Sequence, residues 1–231
     1  GFEFVLLDDK NYFYVSRTKE LAKKAMYYEL NIIKFYNSKI DFEFFCNDVR
    51  NLGALLGFPD CCVEFYLSCW LEQGTNILER TEPEPNYIHY SHRNTGNPAK
   101  IDFRMNNLFI YRTMPFFPCS YECPAAMQFA AKVFEKLPAK QKELTRQSLT
   151  GDFLVIDEYN LIGFESRYRF RENCIDYNPE GVRFFNKNGS LFEPAKKGNK
   201  IEFNDNRIRI FGENGEKISE IFKHSYLLRF Y

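Results

Sequence analysis

Thr150-Gly151-Asp152-Phe153-Leu154-Val155-Ile156-Asp157-Glu158-Tyr159-Asn160-Leu161-Ile162-Gly163-Phe164 marks a change of period in this chain. Two apolar runs, 153–156 and 161–164, flank Tyr159-Asn160, and short apolar runs on either side of turn-forming residues signal a β-hairpin. Further on, residues 201–203, 208–211 and 217–221 predict a meander, with turns at Asn204-Asp205-Asn206 and Gly212-Glu213-Asn214-Gly215. Working back from Thr150, the spacing is helical. Residues 125–137 put Ala126, Phe129, Ala130, Val133 and Phe134 on one face. Residues 59–74 predict a helix opened by Pro59, since proline is tolerated at a first helical position. Residues 48–56 predict a shorter one stopped by Gly57. Residues 18–36 read as an amphipathic helix burying Leu21, Ala25, Met26, Leu30 and Ile33. The chain opens with a hairpin around Asp8-Asp9-Lys10-Asn11. Between 75 and 117 the pattern weakens: Thr81-Glu82-Pro83-Glu84-Pro85 cannot continue a helix, 93–98 reads as loop, and 108–112 fits helix or strand. The expected fold is α+β. A mostly helical, cysteine-bearing part over residues 1–148 starts with the hairpin, and a smaller β-rich part covers 149–231.

The 231 residues carry 31 basic and 31 acidic side chains, so the net charge is zero and the pI is near 7.0. Such a chain is as a whole no electrostatic trap for nucleic acid or anionic lipid. Hydrophobic residues at 45% and charged residues at 27% exclude a disordered or collagen-like chain. No apolar run approaches the roughly 20 residues that cross a bilayer, and Gly1-Phe2-Glu3-Phe4 lacks a signal-peptide pattern. The expectation is a cytoplasmic protein without a membrane partner. Its 25 Phe and 15 Tyr follow the codon bias of an AT-rich genome more simply than they make an aromatic binding surface.

Four of the seven cysteines lie in two short clusters. The first is Gly57-Phe58-Pro59-Asp60-Cys61-Cys62-Val63-Glu64, the second Phe117-Pro118-Cys119-Ser120-Tyr121-Glu122-Cys123-Pro124. Each sets cysteines beside a proline at a predicted helix start. Unpaired N–H groups and the positive end of the helix dipole favour a thiolate there, which raises both metal affinity and nucleophilicity. If the two helix starts face each other, Cys61, Cys62, Cys119 and Cys123 converge, and four thiolates suit zinc or an iron–sulfur cluster. Zinc modules usually pair cysteines two to four residues apart. Adjacent Cys61 and Cys62 point in different directions, so an iron–sulfur cluster such as [4Fe–4S] ranks above zinc. Buried thiols, bridges between the clusters and metal-free dithiol chemistry remain open. Cys69 lies about 10 Å further along its helix at about 1.5 Å per residue. It reads, like Cys46 and Cys174, as a small hydrophobe.

Gly57, Phe58, Pro59, Cys61 and Cys62, followed by Pro118, Cys119 and Cys123, form a pattern that resembles an uncharacterised prokaryotic family. In that family a G-[YF]-P-x-C-C motif precedes a P-C-x-x-x-C motif. The resemblance covers residues 50–137, and implies functional cysteines without naming a reaction.

Around the clusters stand candidates for proton transfer and substrate binding. His92 titrates near neutral pH and could act as general acid or base. Three residues earlier, His89 would share its face on a helix, although the segment reads as loop. His224 reads as structural. Glu64 and Glu122 neighbour cluster cysteines and could move protons. Arg93, Arg104 and Arg112, with Asn94, Asn106 and Asn107 among them, could hold a carboxylate or phosphate through the guanidinium fork. Phosphate-binding glycine loops, H-E-x-x-H, G-x-S-x-G and the radical-SAM cysteine run are all absent. The function expected is a metalloprotein performing redox or sulfur chemistry on a small molecule, peptide or RNA base. A structural-zinc interaction module and a dithiol oxidoreductase are the alternatives.

Overall fold

The computed structural model describes residues 3–7, 12–38, 42–72, 86–96, 100–108, 112–156, 160–164, 168–184, 190–204 and 206–231. The turns expected at 8–11 and 157–159, and the proline-rich stretch 81–85, lie outside them. The chain divides into two compact units, Gly1–Pro85 and Asn86–Tyr231.

In the first unit, strands β1 (Glu3–Leu7) and β2 (Tyr12–Ser16) pair antiparallel, Glu3 opposite Ser16. Thr18 then accepts the Leu21 N–H at 3.3 Å, capping helix α1 (Lys19–Ser38). The buried stripe of α1 is Ala22, Ile32 and Phe35; Leu21 is exposed and Ala25, Met26, Leu30 and Ile33 are only half-buried. The expected face is thus turned by about one residue. The aromatic core explains the turn. Phe35 stacks on Phe45 of helix α2 (Phe42–Leu56) with centroids 4.1 Å apart. Trp70 of helix α3 (Asp60–Glu72) meets both edge-on, an arrangement ring quadrupoles favour. Trp70 is 1% exposed. Helix α2 starts six residues before its predicted beginning.

In the second unit, the stretch from His89 that reads as loop is helix α4 (Tyr87–Thr95). Asn86 caps it by accepting the His89 N–H at 3.0 Å, and Gly96 (φ 78°) ends it. Helices α5 (Pro124–Lys136) and α6 (Ala139–Leu149) follow. Ala126, Ala130 and Phe134 are the buried face of α5, as its spacing predicts. The strands come next: β3 (Gly151–Val155), β4 (Leu161–Phe164), β5 (Arg169–Arg171), β6 (Cys174–Asp176) and β7 (Val182–Phe184). Helix α7 (Phe192–Lys197) precedes β8 (Lys200–Asn204), β9 (Arg207–Phe211), β10 (Lys217–Ile221) and β11 (Tyr226–Phe230). Among the described residues they build an antiparallel sheet ordered β11-β3-β4-β7 and another ordered β10-β9-β8-β6-β5. The hairpin read from residues 150–164 is β3–β4, with Leu154 opposite Ile162. The meander is β8–β9–β10. Leu154, Ile162 and Phe164 of one sheet share a core with Ile175, Ile201 and Ile210 of the other.

The fold is α+β with the strands gathered toward the C-terminus. Residues 86–149 fall in one compact unit with the sheets, the two units meeting in sequence at 85/86. Backbone bonds explain this: Ile101 donates to Arg229 O at 2.7 Å and accepts from Tyr231 at 2.8 Å. Asn106 Nδ2 donates to Leu149 O at 2.7 Å. A change of hydrophobic period marks a change of local structure, and gives no warning of such long-range pairing.

Candidate metal centre

Helix α2 ends in a Schellman turn. Phe58 N–H donates to Gly53 O at 2.9 Å and Gly57 N–H to Ala54 O at 3.2 Å, with Gly57 at φ 71°. Pro59 follows and opens α3, its carbonyl accepting from Cys62 at 2.9 Å and Val63 at 3.1 Å. Cys61 and Cys62 therefore occupy the first turn, where N–H groups and the dipole favour thiolates. Their Sγ atoms lie 4.0 Å apart, so adjacency does not keep them from facing one point. Close approach of α2 sets the angle: a Cβ on Gly53 would stand 2.6 Å from Val63 Cγ2.

The second pair is held differently. Cys123 is the N-cap of α5, with Pro124 at the next position, and its sulfur accepts the Ala126 N–H at 3.5 Å. Helix α4 fixes the turn before it. Ser91 Oγ donates to Pro118 O at 2.6 Å and Asn94 Nδ2 to Cys119 O at 2.9 Å. Thr95 Oγ1 accepts from Tyr121 N–H at 2.7 Å.

The ligand atoms of Cys61, Cys62, Cys119 and Cys123 all lie within 4.8 Å of one another, a group that could hold a metal ion. Cys62 and Cys123 are buried, Cys119 half-buried and Cys61 exposed. None of the seven cysteines is in a disulfide, which sets aside the inter-cluster bridges. Cys69 is buried, whereas Cys46 and Cys174 are half-buried and burial pushes both their thiols up.

The other candidates differ in their surroundings. Glu64 is held by Arg50, with Nε–Oε1 at 2.6 Å and Nη2–Oε2 at 2.9 Å, and this bond keeps its carboxyl below the usual range. Arg104 turns its fork on Asp102 at 2.9 and 2.6 Å, engaging the donors that an anion would need. Arg112 and Glu122 are exposed. Asn106 and Asn107 are buried structural amides. Arg93 lies 4.8 Å over the Tyr90 ring. His92 stacks on Tyr226 at 4.0 Å and 4°. Burial, with the neighbouring His89 and His224, pushes it down to about 4.

His89, read on a loop as a possible acid or base, and His224, read as structural, come together in the structure. They lie 5.3 Å apart and 5.9 and 5.8 Å from the same Tyr226 ring. Asn86 before Tyr87-Ile88 was the available signal, since it caps the helix that aims two of the three histidines.

Comparison with protein-family models, with curated proteins and with solved structures found no match for this chain. The family resemblance therefore rests on its motif residues alone. No described helix is long and apolar enough to cross a membrane.

Proposed function

We propose that this is a zinc-binding protein in which Cys61, Cys62, Cys119 and Cys123 close around a single ion that contributes to folding. The mutual spread of 4.8 Å carries the reading. A tetrahedral zinc with bonds of about 2.3 Å spaces its sulfurs about 3.8 Å apart, and the Cys61–Cys62 separation of 4.0 Å is close to that. In a [4Fe–4S] cluster each thiolate binds its own iron, so the sulfurs must stand further from one another than around one shared ion. The iron–sulfur cluster that ranked first on adjacency alone accordingly takes second place. Four thiolates leave no open coordination position, which suits a structural site.

One observation favours a second reading. Cys61 is exposed, so a bound ion could exchange that thiolate, and sulfur or redox chemistry on a small molecule or peptide would enter there.

Anaerobic purification with elemental analysis and visible spectroscopy tests the first reading. One zinc per chain, no visible absorbance and loss of the fold on chelation are expected. Iron with acid-labile sulfide would replace zinc by a cluster, and a folded, metal-free chain indifferent to chelators would overturn both. Alkylation of the zinc-loaded protein separates the two readings. Protection of all four thiols supports the closed site; modification of Cys61 with zinc retained supports exchange.

A further inference from the structure

The second unit contains a cavity of about 780 Å³ that the four sulfurs do not line. That volume falls within the roughly 300–1,000 Å³ usual for small-molecule sites. Its charged lining is unbalanced. Arg93 and Arg229 bring guanidinium groups, while Glu172 is the acid among the lining residues; His92 and His224 also line the cavity. Arg229 also lies 4.0 Å from the buried Asp152, which offsets part of its charge. Low-dielectric walls lined by one sign of charge concentrate ions of the other.

The rest of the lining has a flat apolar side. Phe170 and Phe203 lie 6.2 Å apart and inclined by 32°, with the Arg229 guanidinium 4.4 Å over Phe170. Asn173 and Asn204 add amides able to donate or accept. His92 and Tyr226 stack against each other at the wall. The Nδ1 of His92 is buried with no hydrogen-bond partner among the described residues.

We propose that this cavity binds a small organic oxyanion with a flat unsaturated part. Arg93 and Arg229 take the oxyanion, the Phe170–Phe203 wall takes the flat part, and the amides set its orientation. The shared chemistry is that of a carboxylate or a phosphate ester, since both match the guanidinium fork. The inference stands without the metal reading, because its residues all belong to Asn86–Tyr231 and none is a cysteine.

The test is a titration of the purified, metal-loaded chain at neutral pH, followed through its three histidine ring signals by 1H–13C NMR. The probes are adenosine 5′-monophosphate, benzoate and inorganic phosphate, with adenosine as the uncharged control. Saturable shifts of the His92 and His224 signals are expected with the nucleotide or benzoate at millimolar affinity or better, and weaker ones with adenosine or phosphate alone. The stronger of the first two identifies the oxyanion. Arg93→Gln, at an exposed position, is expected to weaken binding about tenfold, a change of about 1.4 kcal/mol, with metal content and thermal unfolding unchanged. Arg229→Gln should do the same or more. Silence of the histidine signals to every probe overturns the proposal. So does equal response to adenosine and its monophosphate, or unchanged affinity in Arg93→Gln. Metal analysis of the same samples keeps failure here distinct from failure of the zinc reading.

Discussion

The two cysteine-bearing turns solve one problem by different means. At Cys61 and Cys62 the backbone does the positioning: a glycine-ended Schellman turn, a proline and the first turn of α3 aim two neighbouring sulfurs at one point. At Cys119 and Cys123 side chains do it: Ser91, Asn94 and Thr95 of α4 hold the turn by hydrogen bonds. The first turn is legible because glycine and proline advertise their geometry. The second depends on partners more than twenty residues away. A thiolate at a helix start can thus be aimed by covalent stiffness or by a hydrogen-bonded cradle, and the two should fail differently.

The sharpest break of the comparison is at the sulfurs. Cys62→Ser or Cys123→Ser is expected to abolish stoichiometric zinc and lower the melting temperature by tens of degrees, since metal binding in small structural sites supplies on the order of 10 kcal/mol of folding energy. Cys61→Ser, at the exposed ligand, should retain zinc at reduced affinity. Elemental analysis beside calorimetry checks both, and identical behaviour of all three variants would contradict the burial pattern. At the first turn, Gly53→Ala sets two effects against each other. Alanine gains about 1 kcal/mol of helix propensity, but the Cβ meets stiff Val63 at 2.6 Å, and overpacking costs about 1–3 kcal/mol. Net destabilisation is expected in chemical unfolding, and Val63→Ala in the same chain should restore stability by opening room.

Ser91→Ala probes the second turn. Losing the buried bond to Pro118 O leaves a carbonyl short of its partner, a loss of about 1–3 kcal/mol, and metal affinity should fall with stability. Acidification gives a smaller signal. His92 is pushed down to about 4 against about 6.5 unfolded, so between those values the unfolded chain binds more protons. Stability contributed by neutral His92 is therefore full above about 6.5 and is lost as pH falls toward about 4. His92→Phe, which keeps a ring against Tyr226, should flatten that limb of the pH–stability curve. Least is expected of Glu64→Gln. The Arg50–Glu64 pair is about half exposed, at 47% and 55%, so a change within about 0.2–1 kcal/mol is expected by denaturant titration.

Much of the fold can be read from periodicity because local burial dictates it. The α5 face, the β3–β4 hairpin and the meander all follow from apolar spacing. Strands β5, β6 and β7 are three residues long, too short for alternation to register. The α1 stripe missed by about one residue because Phe35, Phe45 and Trp70 choose the face through ring packing, which spacing cannot rank. At the site, proline-led cysteines at helix starts were visible as chemistry. That their sulfurs gather within 4.8 Å is tertiary information. Helix α4 stayed hidden because its polar residues face hydrogen-bond partners distant in sequence, so no apolar stripe announces it.

That helix has two clients. His92 closes onto Tyr226 at the cavity while Asn94, two residues on and about 3 Å further along the axis, grips the carbonyl of Cys119. A nine-residue rod cannot tilt at one of these positions and stay still at the other. One short helix thus serves as wall to the cavity and as clamp to a cysteine turn, so its placement sets both.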